Sequence, residues 1–261
     1  MASASCDSPQ PSPRTAEPMS RRRADLLLVE RGLFDSRAKA RAAIEAGLVR
    51  AGGEPVRRAS DMIAPDTPIE AQAPHPWVSR GGVKLAAALD AFAVDPRDRI
   101  ALDCGASTGG FTQVLLARDA RRVYAVDVGR GQLHLDVAGD PRVVGLESTD
   151  ARALDRELVP DPIDVLVADV SFISLRLVLP PLIPLLAPGA ALVALIKPQF
   201  EAGRAALSKG GIVRDEAVRA AVCQDIEALV RGFGFAVSGV IPSPIAGGDG
   251  NAEFLIGARL G

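Results

Sequence analysis

The chain has 261 residues, of which 24% are charged and 48% hydrophobic, and a formal net charge of −2. That length and composition can bury a full core, which excludes a disordered or collagen-like chain, and the near-neutral charge excludes a protein that coats nucleic acid over its whole surface. Cys6, Cys104 and Cys223 stand far apart with no C-x-x-C pair, which excludes a disulfide framework or a cysteine-rich zinc site and fits a cytoplasmic setting.

Met1 to Ser20 is rich in Ser, Pro and Ala without an apolar segment, so it reads as a disordered tail rather than a signal peptide. Residues 21–74 read as a small basic α+β domain. Between Arg21 and Ser60 ten Lys or Arg face five acids, a local excess that points to nucleic acid. A helix from Ala24 to Arg31 closes on Gly32, and Ser36 caps a second that ends at Gly47. Leu48 to Arg50, the Gly52-Gly53 turn and Pro55 to Arg57 form a hairpin. Arg37 and Arg41, one helical turn apart, project from one face and suit phosphate. Together with Arg21, Arg22, Arg23, Lys39, Arg57 and Arg58 they are the candidate RNA contacts, the plain alternative being a solvated charged face. The segment resembles the RNA-binding domain named after the fourth small-subunit ribosomal protein, on Arg23, Asp25, Leu28, Val29, Gly32, Leu33, Ser36, Arg37, Ala40, Ile44, Gly47, Val49, Gly53, Val56 and Ser60.

Pro65 to Pro76 is proline-rich and without periodicity, and leads into an interdomain linker at 75–83. Trp77 in that linker is either a packing anchor or a stacking surface for RNA. From residue 84 to 261, strand-like runs at Ile100 to Asp103, Val123 to Val128, Arg142 to Leu146, Ile163 to Asp169 and Ala191 to Lys197 alternate with helical stretches near Phe111 to Arg118, Leu175 to Leu186 and Glu216 to Arg231. Such alternation predicts a Rossmann-like, mostly parallel sheet with helices on both faces. Two last strands, Gly234 to Ile241 and Ala252 to Arg259, are joined too closely for a crossover and should pair antiparallel. Leu177 to Ile196 has the length of a membrane span, but Pro180, Pro181, Pro184 and Pro188 exclude a spanning helix and fit a helix, a Pro-Gly turn and a buried strand.

The first of these strands runs into Asp103-Cys104-Gly105-Ala106-Ser107-Thr108-Gly109-Gly110-Phe111, a glycine-rich turn at the carboxyl edge of the sheet, where open α/β sheets bind ligands. The spacing is neither G-x-G-x-x-G nor the Walker pattern with its lysine. Asp127 ends the second strand, followed by Val128, at the place where an acid accepts from ribose hydroxyls. Asp150 and Ala151 follow the third. Glycine turn, ribose acid and further acid describe an adenosine pocket with a small charged group at the turn, as in S-adenosylmethionine (SAM).

Lys84, Asp169, Lys197 and Glu253 sit where a plain core would not choose charge. Lys197 follows an apolar run and precedes Pro198, so its amine should leave the sheet at the ligand-binding edge, where Asp169 can hold it; ordinary surface salt bridges are the alternative. Here the resemblance becomes specific. The second domain is similar to the FtsJ-like ribose 2′-O-methyltransferases, whose Lys-Asp-Lys-Glu tetrad matches these four residues. The order of Trp77 to Gly81, Asp103 to Phe111, Asp169 to Ser174 and Lys197 to Glu201 resembles the TlyA family, which methylates ribosomal RNA and carries an old hemolysin label. Asp150 departs from the family's Asn. The resemblance implies SAM as cofactor, Lys197 as base, Lys84 and Glu253 positioning the hydroxyl, Asp169 bridging and also touching the cofactor, and ribosomal RNA or ribosomal subunits as partner. The alternatives are a membrane-active hemolysin and a non-catalytic RNA-binding protein. Two isolated histidines, His75 and His134, make no metal site. The expectation is a monomer with no metal and no membrane partner.

Overall fold

The computed structural model describes residues 20–247 and 250–261. Apart from Ser20, the expected tail therefore lies outside the described residues. The chain divides into two compact units between Pro76 and Trp77.

In the first unit, β1 (Arg22–Arg23), α1 (Ala24–Glu30), α2 (Arg37–Glu45), β2 (Val49–Ala51), β3 (Glu54–Pro55), β4 (Met62–Ile63) and β5 (Ile69–Ala71) follow in order. Ser36 caps α2 by accepting from the Lys39 N–H, which satisfies one of the donors left open at a helix start. Leu27, Leu28, Ala40, Ala43, Ile44 and Val49 form the core, with apolar residues three and four apart on α1 and α2. The β2–β3 hairpin forms as expected. β5 is a correction: Ile69–Ala71 was expected in the proline-rich approach to the linker, but pairs antiparallel with β2. Three residues are too few to show a period.

The second unit holds α3 (Gly81–Ala91), β6 (Ile100–Cys104), α4 (Gly110–Ala117), β7 (Arg122–Val126), α5 (Leu135–Ala138), β8 (Val143–Leu146), β9 (Ile163–Ala168), α6 (Leu175–Leu182), β10 (Leu186–Ile196), α7 (Pro198–Glu201), α8 (Glu216–Gly232), β11 (Phe235–Pro242) and β12 (Phe254–Leu260). Its sheet runs β11-β12-β10-β9-β6-β7-β8. The strands from β10 to β8 are parallel, and β12 joins antiparallel to both β10 and β11. This is the expected mostly parallel sheet with an antiparallel hairpin at one edge. β10 shows why its run is continuously apolar: Leu192, Ala194 and Ile196 enter one core cluster and Ala191, Val193 and Leu195 the other, because successive side chains point to opposite faces of a sheet covered on both.

Two expectations change. The linker at 75–83 is not a free connection: α3 starts at Gly81, and Trp77 packs against the second core cluster, lying so close to Gly82 that no Cβ would fit there. Trp77 is thus a packing anchor in this structure. The helix expected to reach Leu186 stops at Leu182, passes through a 3-10 turn at Ile183–Leu185 and becomes β10. Prolines 180, 181 and 184 remove the N–H groups a longer helix would need, and the β9–β10 register shifts between Leu186 and Ala191 around Pro188-Gly189.

Candidate active site

Pairing across three strands assembles the charged cluster. Ile196 stands opposite Phe254 in the β10–β12 register, so Lys197, just past β10, and Glu253, just before β12, lie at the same sheet edge. Glu253 was expected within the last strand and instead precedes it. Ala168 ends β9 beside β10, which brings Asp169 to that edge as well. Lys84 reaches it from α3 and donates to Glu253 Oε2 at 2.5 Å. Both groups are almost fully buried, so each charge depends on the other for compensation.

Lys197 is also buried. Its Nζ lies 2.6 Å from Asp169 Oδ1, off the direction of a hydrogen bond, and donates to Ser171 Oγ at 2.8 Å. The cluster therefore comprises two ion pairs, Lys84 with Glu253 and Lys197 with Asp169. Sequence reasoning missed Ser171 as a member. Its signal was its place in the Asp169 to Ser174 stretch, two residues after Asp169.

Beside the cluster is a cavity of about 440 Å³ lined by residues including Cys104, Gly105, Ser107, Val126, Asp127, Val128, Gln132, Thr149, Asp150, Ala151, Arg152, Asp169, Val170, Ser171 and Phe172. That volume suits a cofactor-sized molecule. Gly105 has φ 88, and a Cβ there would collide with the Asp169 carbonyl. Glycine thus lets the turn close against the loop after β9. Asp127 accepts from Ser107 N–H at 2.8 Å through Oδ2 and from Gly129 N–H at 2.7 Å through Oδ1, which fixes its carboxylate at the wall with a lone pair left on each oxygen. Glu147 accepts from the N–H groups of Gly131, Gln132 and Leu133, and those bonds hold its carboxyl below the usual range. The loop carrying Gln132 is ordered by them.

Not every cofactor candidate reaches the cavity. Phe111 is buried in the second core cluster, and Ala106, Thr108, Gly109 and Gly110 shape the turn without lining the cavity. Asp103 is fully buried and accepts from Thr112 Oγ1 at 2.6 Å, tying β6 to the start of α4. Its Oδ1 has no partner, and burial pushes its carboxyl up to about 7, opposed by the Thr112 bond and assisted by the charge of Asp169. Asp150 lines the cavity but is held 2.6 Å from Arg152, whose hydrogen bonds bring it down to about 2. Arg152 belongs to the wall and was not singled out from sequence.

In the first unit the basic candidates split. Arg23 and Arg37 both bind the buried carboxylate of Asp25, at 3.0 and 2.8 Å. Hydrogen bonds from Arg23 above all, then Arg37, bring Asp25 down to about 2 against its burial. Lys39 pairs with Asp35 and Arg58 with Asp61. Arg37 thus also braces Asp25, with about half of its side chain, 54%, still exposed. Arg21, Arg22, Arg41 and Arg57 make no side-chain ion pair among the described residues and stay available to phosphate.

Among the described residues no group of His, Cys, Asp or Glu is arranged to hold a metal ion, and no helix is long and apolar enough to cross a membrane.

Residues 77–260 match the FtsJ-like methyltransferase family and residues 22–69 match the S4 domain. The chain is 44% identical over 244 residues to the 16S/23S rRNA (cytidine-2′-O)-methyltransferase TlyA of Mycobacterium tuberculosis, covering 92% of this chain and 91% of that one. It is 40% identical over 234 residues to hemolysin A of Brachyspira hyodysenteriae, covering 89% and 98%. A solved Streptococcus thermophilus structure bearing the hemolysin label has 40% identity and a TM-score of 0.73, covering 93% of this chain and 89% of that one.

Proposed function

The chain belongs to the FtsJ-like methyltransferase family with an S4 domain ahead of it, and on that premise we propose that it methylates the ribose 2′-oxygen of a nucleotide in 16S or 23S ribosomal RNA, or in both, using SAM. The observation that carries this reading is the buried Lys197, held by Asp169 and Ser171, both of which line the cavity, at the sheet edge that also carries the Lys84–Glu253 pair. A 2′-hydroxyl is a poor nucleophile until its proton leaves, so a positioned amine and alignment are what the reaction asks of the protein.

The residues present fit SAM. The close turn at Gly105 approaches a ligand along its backbone, Asp127 keeps lone pairs for ribose hydroxyls, and Gln132, Thr149 and Asp150 also line the cavity. When bound, SAM supplies a methyl group on a cationic sulfur that departs as a neutral thioether. Once its ammonium has released a proton to solvent, Lys197 would take the 2′-proton at Nζ, Asp169 would hold that nitrogen and stabilise the ammonium that re-forms, and Lys84 with Glu253 would position the hydroxyl. The S4 domain would dock the RNA through Arg21, Arg22, Arg41 and Arg57, all of it in the cytoplasm where ribosomal RNA lies.

The reading is tested by mapping 2′-O-methyl groups in ribosomal RNA from cells with and without the protein. A site that disappears with the gene and returns with the purified enzyme and SAM supports it. Identical maps overturn it. The same purified protein added to dye-loaded liposomes tests the membrane-active alternative, for which leakage would be required.

A further inference from the structure

We propose that Ser171 is a positioning residue for Lys197: its hydroxyl fixes rotation about the Cε–Nζ bond, so that the amine presents its lone pair toward the 2′-hydroxyl. This rests on the methyl-transfer reading and adds a member to the catalytic cluster. The two neighbours of Nζ do different work. Asp169 Oδ1, at 2.6 Å, holds the nitrogen by charge but lies off the direction of a hydrogen bond. Ser171 Oγ, at 2.8 Å, takes the directed one. An ion pair alone is weakly directional, whereas a hydrogen bond selects an orientation. In the neutral amine one N–H goes to Ser171, and the Asp169 carboxylate repels the lone pair, which leaves the direction away from Asp169 for it. The 2′-proton moves onto that pair as the methyl group replaces it on oxygen, and the positive charge lost from sulfur reappears on the Lys197 ammonium.

The segment that follows Ser171 is itself held: Ser174 Oγ donates to Glu201 Oε2 at 2.5 Å and the Leu175 N–H to Glu201 Oε1 at 2.8 Å, which staples it to α7, starting immediately after Lys197. Phe172, next to Ser171, adopts φ 63, a left-handed conformation unfavourable for a bulky residue, and its exposed ring meets Phe200 of α7 with centroids 5.2 Å apart. Ser171 also lines the cavity.

The test compares full-length wild type, Ser171→Ala, Ser171→Thr and Lys197→Met. Single-turnover methyl transfer at saturating RNA and SAM should fall roughly 10- to 100-fold in Ser171→Ala, the range for a misaligned reacting group, and recover in Ser171→Thr, which keeps the hydroxyl. SAM affinity by calorimetry and RNA affinity by filter binding should stay within about twofold. Nitrogen-15 relaxation at Lys197 Nζ should report a looser ammonium in Ser171→Ala and a wild-type one in Ser171→Thr. Ser171→Ala at the wild-type rate with an unchanged Nζ signal, while Lys197→Met is inactive, overturns this inference and leaves the methyl-transfer reading standing. A loss in Ser171→Ala that tracks SAM affinity makes the residue a cavity wall and also overturns it. Wild-type protein that transfers no methyl group to ribosomal RNA overturns the reading itself.

Discussion

Lys84 and Glu253 are 169 positions apart in the chain and meet in a 2.5 Å hydrogen bond between buried side chains. Removing either leaves the other charge buried without compensation. Lys84→Met and Glu253→Gln should therefore both lower Tm by several degrees, and both should lower the methyl-transfer rate through misplacement of the hydroxyl. Scanning calorimetry of the two single variants and of the double variant checks the coupling. The double variant should be more stable than the sum of the single losses implies; strict additivity would mean that the pair does not act as a unit.

Asp127 faces the cavity with one lone pair free on each oxygen. Asp127→Ala should weaken SAM binding by about 1–3 kcal/mol, the worth of a charged acceptor for hydroxyls. Titration calorimetry gives the value directly, and an unchanged Kd would remove Asp127 from the cofactor site.

Arginines of the S4 domain should separate into two classes. Arg41→Ala and Arg57→Ala, which break no ion pair among the described residues, should leave Tm unchanged and each reduce the slope of log K against log salt by about 1 for RNA binding. Arg37→Ala should instead lower Tm, because Asp25 loses one of its two guanidinium partners. Binding at several salt concentrations, paired with melting curves, distinguishes the classes.

Two buried carboxyls give the stability opposite pH slopes. Asp103 is raised to about 7, above its unfolded value of about 3.9, so the folded state holds the extra proton. Its contribution is full below about pH 4 and is lost as pH rises through about 7, on the order of a few kcal/mol. Asp25 is lowered to about 2, so its contribution is present above about pH 4 and is lost as pH falls through about 2. Asp103→Asn should flatten the decline between pH 4 and 7 in urea melts of the ligand-free protein, and Asp25→Asn should flatten the acid limb.

Much of this was legible in the sequence for physical reasons. The apolar run before Lys197 is a strand buried on both faces, so its first charged residue had to mark the sheet edge. The turn after β6 is glycine-rich because Gly105 closes on the Asp169 backbone, Gly109 on Val137 and Gly110 on Ser79. Other features depend on contacts between distant segments. Asp103 and Phe111 sit in the same motif as Gly105, yet the fold turns them inward, one toward Thr112 and the other into the core. That Arg37 also pairs with the buried Asp25 could not be read from its spacing to Arg41. β5 is too short to announce itself, and Ser171 gains its role only because Lys197 arrives from the next strand.

The general base is the centre of the account, and Lys197→Met tests it most directly. A strand-end amine replaced by a thioether of similar length should keep the fold, SAM affinity and RNA affinity. In single-turnover transfer of a tritiated methyl group at saturating SAM and ribosomal RNA, the rate should fall about 10²–10⁴-fold, while Lys209→Met, at an exposed position outside the site, should stay near wild type. A Lys197→Met enzyme within a factor of about three of wild type would contradict a general-base role for this lysine.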